Sequence, residues 1–179
     1  MKYDKNKWKK DDEYETPIYA VEIINKYIKP ESRILCPFDK KSSNFVKYFK
    51  KVGHDVVYSH IDYGQDFFNL KLKSKFDYII SNPPFSKKTQ VLQKLVELNV
   101  PFAMLLNASN FYDSKIRFEI ANKYKFHMIY VYPRIAYIKD GKQTTGNMFQ
   151  SGFLCYKIID EDKFETYDKN RNLKLEVIK

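Results

Sequence analysis

Hydrophobic positions along the chain fall into short dense runs separated by stripes at helical spacing. Residues 76–80 are aromatic and β-branched, the composition of a buried strand. Residues 101–106 form a continuous apolar run, which marks a fully buried strand of a parallel sheet. Residues 33–36, 55–61, 126–132 and 153–159 share that character and are predicted as strands, 126–132 as the sixth and 153–159 as the last of the core. Between the runs the period changes. Ala20, Val21, Ile24, Tyr27 and Ile28 share one face of a helix expected to have Thr16 as N-cap and Pro17 as its first residue, and to end before Pro30. Ser42-Ser43-Asn44 caps a helix with Phe45, Val46, Phe49 and Val52 inward and Gly53 as its stop. Ser86 caps one with Val91, Leu92, Leu95 and Leu98 on one face, and a helix over 113–124 turns Ile116 and Ile120 inward.

The remaining stretches are polar. Residues 1–13 read as a flexible basic arm carrying Trp8, and 69–75 as a short exposed Lys-rich connection. The longest irregular stretch runs from Pro133 to Ser151, with turn signals at Asp140-Gly141 and Gly146-Asn147. From Asp160 onward the chain is highly charged and ends in a Leu173-Leu175-Val177 alternation that reads as an edge strand.

A chain of 179 residues is long enough for one domain with a proper core, placed here at 14–179, and its 44% apolar content is that of a globular protein. No apolar run approaches a membrane span and no signal peptide precedes Trp8. Cys36 and Cys155 are far apart, form no metal spacing and read as reduced core residues of a cytoplasmic protein. His54, His60 and His127 lack a partner constellation and read as structural or exposed, so no metal is expected. A net charge of +10 favours a polyanionic partner. Lys greatly outnumbers Arg, however, and Asn, Ile, Tyr and Phe are abundant, a pattern that an AT-rich genome also produces, so charge alone adds little.

Candidate chemistry gathers at Ser81-Asn82-Pro83-Pro84-Phe85-Ser86-Lys87. Two prolines cannot donate to a sheet ladder, so the strand over 76–80 must end there in a stiff loop. The carboxyl end of a strand is where open α/β sheets bind ligands. Asn-Pro-Pro-Phe in this position resembles the Asn/Asp-Pro-Pro-aromatic loop of S-adenosylmethionine-dependent amino-methyltransferases, above all DNA adenine-N6 methyltransferases. The chemistry explains the residue types. An adenine amine is a poor nucleophile because its lone pair is delocalised into the ring. The Asn82 side-chain oxygen and the Pro83 carbonyl would accept its two N–H bonds, hold the lone pair out of conjugation and stabilise the positive charge that develops on nitrogen. Pro83 and Pro84 would keep the loop rigid, and Phe85 would stack on a base flipped out of the double helix.

The resemblance extends from about Tyr14 to Ile159 and implies a set of cofactor contacts. Tyr14, Thr16 and Pro17 look like the aromatic-Thr-Pro segment that touches the methionine part of the cofactor. Residues 36–49 lack the usual Gly-x-Gly pair and instead look like the corresponding loop of EcoRI-type adenine methyltransferases. That match places Cys36, Phe38 and Asp39 at the cofactor, with Asp39 pairing its ammonium, and Asn82 where cofactor and acceptor meet. Asp62 would accept the ribose hydroxyls and Asp66 the adenine amine of the cofactor, with Phe67 or Phe68 against the ring. Lys87 and Lys88 beside the base pocket, and Arg134, Lys139, Lys142 and Phe149 in the long loop, would contact DNA.

The fold so implied is a Rossmann-like methyltransferase fold: a mostly parallel seven-stranded sheet flanked by helices, its last strand antiparallel. The function implied is methyl transfer from S-adenosylmethionine to adenine N6 in double-stranded DNA, in a bacterial or phage-infected cell and a restriction-modification setting. With no separate target-recognition domain, a homodimer or a specificity-providing partner is expected. Two rivals stay open: RNA adenine or a protein amide as acceptor, and a non-catalytic methyltransferase-like module that binds nucleic acid or a host protein, which the missing glycine pair favours.

Overall fold

The apolar runs pair into one sheet. In the computed structural model, which describes residues 14–72, 74–109, 111–139, 141–144 and 150–167, its strands are β1 (Arg33–Cys36), β2 (Asp55–Tyr58), β3 (Tyr78–Ser81), β4 (Phe102–Asn107), β5 (His127–Tyr132), β8 (Ser151–Tyr156) and β9 (Lys163–Thr166). Two short strands, β6 (Ile138–Lys139) and β7 (Lys142–Gln143), form a separate hairpin. The spatial order is β2-β1-β3-β4-β8-β5-β9. All pairs are parallel except those of β8, which runs antiparallel between β4 and β5. The antiparallel strand is therefore the last of the core, as expected, but β9 follows it at the edge. The predicted edge strand at Leu173–Val177 lies outside the described residues.

Alternation along each strand divides the core into two layers. Ile34, Ile80, Leu105 and Phe153 point to the face covered by α1 (Ile18–Asn25) and α2 (Asn44–Lys51). Their chain neighbours Leu35, Ile79, Leu106 and Leu154 point to the opposite face, where α3 (Lys88–Leu98) and α4 (Lys115–Tyr124) pack. His54 ties α1, β1 and β2 together. Its Nδ1 accepts from the Ser32 N–H at 3.2 Å and its Nε2 meets Asn25 Oδ1 at 2.9 Å, and burial pulls its pKa down. Among the described residues no three or more His, Cys, Asp or Glu side chains come together as they would to hold a metal ion, and no helix is long and apolar enough to cross a membrane. Both cysteines are buried and free.

Several boundaries differ from expectation for local reasons. Pro17, not Thr16, occupies the N-cap of α1, and Thr16 is buried with its carbonyl accepting from Asn44 Nδ2 at 2.9 Å. Strand β2 stops at Tyr58, because His60 accepts the Asp62 N–H and nucleates a 3-10 turn over Ile61–Tyr63, closed by Gly64 at φ 73°. Ser86 caps nothing. The chain leaving Pro84 makes a 3-10 turn over Phe85–Lys87, and α3 begins at Lys88. In α4 the Ser114 cap sets the phase so that Arg117, Ile120, Ala121 and Tyr124 face inward, leaving Ile116 50% exposed rather than buried.

Every residue of β8 is buried. A Cβ on Gly152 would lie 2.7 Å from the Ile129 carbonyl oxygen of the neighbouring strand, a clash with backbone that no rotamer relieves. Gly152→Ala is expected to cost about 1–3 kcal/mol, lowering Tm by roughly 3–10 °C in a thermal melt. An unchanged melt would mean that β5 and β8 lie further apart than described.

Candidate active site

The sheet order reverses between β1 and β3. From β1 the chain steps outward to β2, then returns across β1 to β3. The carboxyl ends of β1 and β3 thus open a crevice at a topological switch point. Beyond β1 the chain stays paired to the segment leaving β2: the Ser59 N–H donates to the Cys36 carbonyl, and the Asp39 N–H to the Ser59 carbonyl, both at 3.1 Å. This pairing sets Asp39 at the crevice, 7% exposed. Its Oδ1 accepts from Ser43 Oγ and its Oδ2 from Ser81 Oγ, each at 2.5 Å. Burial pushes the carboxyl up to about 6 even though both hydroxyls pull it down.

Ser81 ends β3 and the next residue is Asn82. Asn82 Oδ1 is buried and has no hydrogen-bond partner among the described residues. A buried acceptor left unmade costs about 1–3 kcal/mol, so such an atom in a crevice marks a place for a donor. Pro83 behind it is buried, and Pro84 holds an extended conformation at φ -59°, ψ 127°. The Phe85 side chain lies outside the described part of the structure.

A second cluster lies on the β2 side. Phe38, after β1, packs against Phe67 with ring centroids 4.8 Å apart. Asp66 accepts the Phe68 N–H at 3.0 Å and so caps the 3-10 turn Phe67–Asn69. Lys87, in the turn that follows the prolines, places its Nζ 5.1 Å from the Phe68 ring centroid. These contacts join the loops after β1, β2 and β3 around the crevice. Asp62 lies at its exposed rim, where it pairs with Lys40 at 2.9 Å and reaches His60 Nδ1 at 3.6 Å. Cys36 offers the crevice no side chain: its thiol is buried in the core, where burial pushes its pKa up.

The segment before α1 closes another side. Asn44 binds Thr16 as described, and Glu15 forms a two-way backbone bridge with Ile138 of β6. Tyr14 packs edge-on to Tyr137 at 6.1 Å, and Lys139 Nζ sits 5.1 Å from the Tyr14 ring centroid. Lys139 thus has an intramolecular aromatic partner. Of the other basic candidates, Lys87, Arg134 and Lys142 are exposed. Lys88 is half-buried at the start of α3, its amine pulled down by burial and by neighbouring Arg117. Phe149 lies outside the described residues.

The structure therefore brings Asp39 to the root of the Asn82 loop and Phe38 to Phe67. It sets Asp62 apart with Lys40. Sequence reasoning missed Ser81 altogether; it placed Ser43 at the N-cap of α2, which it occupies, but not the bond of its hydroxyl to Asp39 nor that of Asn44 to Thr16. One signal was available for Ser81. A small hydroxyl residue ending a buried parallel strand beside an aspartate-bearing exit loop has that aspartate within reach.

Neither protein-family models nor curated proteins match the chain. Solved structures do. A modification subunit assigned to a type I restriction enzyme from Vibrio vulnificus superposes with a TM-score of 0.55 at 11% identity, over 91% of this chain and 49% of that one. This chain thus spans about half the length of that subunit. A TehB-like SAM-dependent methyltransferase from Corynebacterium glutamicum aligns with a TM-score of 0.46 at 14% identity, over 77% of this chain and 87% of that one. A release-factor-specific protein-(glutamine-N5) methyltransferase from Alicyclobacillus acidocaldarius gives 0.42 at 11%, over 76% and 89%. Identities this low speak to the fold, and with the seven-stranded sheet and its flanking helices the chain has a Rossmann-like methyltransferase fold.

Proposed function

We propose that the protein transfers a methyl group from S-adenosylmethionine to the N6 amine of adenine in DNA. The observation that carries the reading is the buried, unpartnered Asn82 Oδ1, set between Ser81 and two prolines at the switch point. An oxygen in that setting suits an exocyclic N–H. The Pro83 carbonyl would take the second N–H, and Pro83 and Pro84 restrict the relaxation that would let the lone pair return to the ring. As the amine becomes cationic on accepting the methyl, both oxygens bind it more tightly, which is where catalysis is gained.

The residues around the crevice fit a cofactor with an ammonium and a purine. Asp39 would hold the ammonium, Asp66 the purine amine, and Phe38, Phe67 and Phe68 the ring faces. When bound, the cofactor supplies an electrophilic methyl on a sulfonium. Lys87 and Arg134 follow the carboxyl ends of β3 and β5, on the crevice edge of the sheet, where phosphate contacts would steady a flipped base. The test is transfer of labelled methyl to unmethylated double-stranded DNA, with RNA and a glutamine-bearing protein in parallel. Label recovered as N6-methyladenine from DNA is the expected result. Label on RNA or protein alone would keep the chemistry and change the acceptor. No label together with no cofactor binding would remove the enzyme reading.

A further inference from the structure

Pro83 and Pro84 carry no N–H, so the loop that bears Asn82 has two fewer backbone donors to tie it down, and on the β4 side its root is held by the pairing of Ser81 with Met104. On the β1 side the ladder ends early: Leu35 pairs with Ile79, and no later β3 residue has a β1 partner. What continues the connection is a side chain. Ser81, fully buried, donates to Asp39 Oδ2, while Ser43 at the start of α2 donates to Oδ1 of the same carboxylate. We propose that Ser81 is a positioning residue for methyl transfer: through Asp39 it ties the loop that holds the acceptor amine to the loop that receives the cofactor's amino-acid end. This rests on the reading of the site given above and adds a role for a residue that touches neither substrate nor cofactor.

The two serines differ in what they reach. Ser43 steadies the carboxylate from the N-cap of α2, away from the Asn82 loop. Ser81 steadies it and also fixes the backbone from which Asn82 projects. Of the titratable groups on the neighbouring segments, the Cys36 thiol ends β1 with its pKa pushed up by burial, Lys40 is next in the chain, and His60 and Asp62 follow β2, with Lys40 and Asp62 paired to each other. Loss of either hydroxyl removes a donor from the ionised form and makes Asp39 harder to ionise.

Two measurements test this on the full chain. The first is the carboxyl-carbon NMR titration of Asp39 without cofactor. Ser81→Ala and Ser43→Ala are each expected to move its midpoint up by about one pH unit. The second is kcat and the cofactor KM at pH 8.5, where Asp39 is ionised. Ser81→Ala is expected to lose kcat roughly ten- to hundredfold, the scale of a misplaced reacting group. Ser43→Ala is expected to act chiefly on KM, with a clearly smaller kcat loss. Should Ser81→Ala fail to fold, Ser81→Cys, a much weaker donor, gives the same two changes. An unmoved titration in folded Ser81→Ala, or a kcat loss no larger than that of Ser43→Ala, overturns the positioning role. Absence of methyl transfer by the unaltered protein is a different failure and overturns the reading of the site itself.

Discussion

Asn82→Ala lowers kcat for methyl transfer by about a hundred- to a thousandfold, the usual cost of removing one pre-oriented group that stabilises developing charge. The loss falls on kcat because the interaction strengthens as positive charge grows on the amine. Cofactor affinity changes far less, since Asp39 and the Phe38–Phe67 pair are untouched. Stability is expected to move the other way. The alanine removes a buried oxygen that has no partner in the free protein, worth about 1–3 kcal/mol, so the variant melts no lower than the parent. Steady-state kinetics beside a thermal melt tests both halves. A kcat within threefold of the parent, or a large fall in Tm, would show that Asn82 serves packing rather than chemistry.

Asp39→Asn is expected to stabilise the free protein near neutral pH and to cripple cofactor binding. The carboxyl is pushed up to about 6, from an ordinary value of about 4, by burial. The folded chain therefore holds this proton more tightly than the unfolded chain does. That preference favours folding below pH ~4 and is lost as pH rises through about 6. The swing is on the order of 3 kcal/mol at 1.36 kcal/mol per pH unit. Asparagine removes the ionisation and with it the loss. Between pH 7 and 8 the variant should melt higher than the parent by several degrees, and the gap should close towards pH 4. The same carboxylate is the partner offered to an ammonium, and a charge-assisted bond of this kind is worth about tenfold to a hundredfold in affinity. Calorimetric titration with S-adenosylmethionine should show that loss. In the parent, affinity should weaken as pH falls through about 6. A variant that binds as tightly as the parent would confine Asp39 to a structural role.

Much of the architecture could be read from single residues in sequence. Apolar runs marked six of the seven sheet strands: β1, β3, β4 and β8 are buried on both faces or nearly so, and β2 and β5, which are only partly buried, are still rich in β-branched and aromatic residues. The Pro83-Pro84 pair marked where β3 must end. The seventh strand, β9, escaped because its residues alternate half-buried and exposed within a charged stretch, with Phe164 81% exposed. Its pairing with β5 is a tertiary event that a local pattern does not carry. The helix over 113–124 was found with Ile120 correctly inward, but Ile116, in the first turn after the Ser114 cap, lies outside the inward stripe of Arg117, Ile120, Ala121 and Tyr124. In the crevice, residue types with a chemical reason were visible and their wiring was not. Asp39 stood out as an acid in an exit loop. That its two oxygens are shared between Ser43 and Ser81 follows from how β1, α2 and β3 are stacked, which no spacing in the sequence encodes.

The place of β8 bears on how the chain folds as it is made. It fills the slot between β4 and β5, yet it is synthesised after both and after the long excursion that follows β5. Until residues 151–156 arrive, β2-β1-β3-β4 has an open edge that is apolar from Phe102 to Leu106, and β5 lacks the strand that joins it to the sheet. The nascent protein therefore passes through a stage with an unsatisfied strand edge, the form of intermediate most prone to pair with other chains. Closure by a strand so distant in sequence from β4 is also slow, because loop entropy must be overcome before the contacts form.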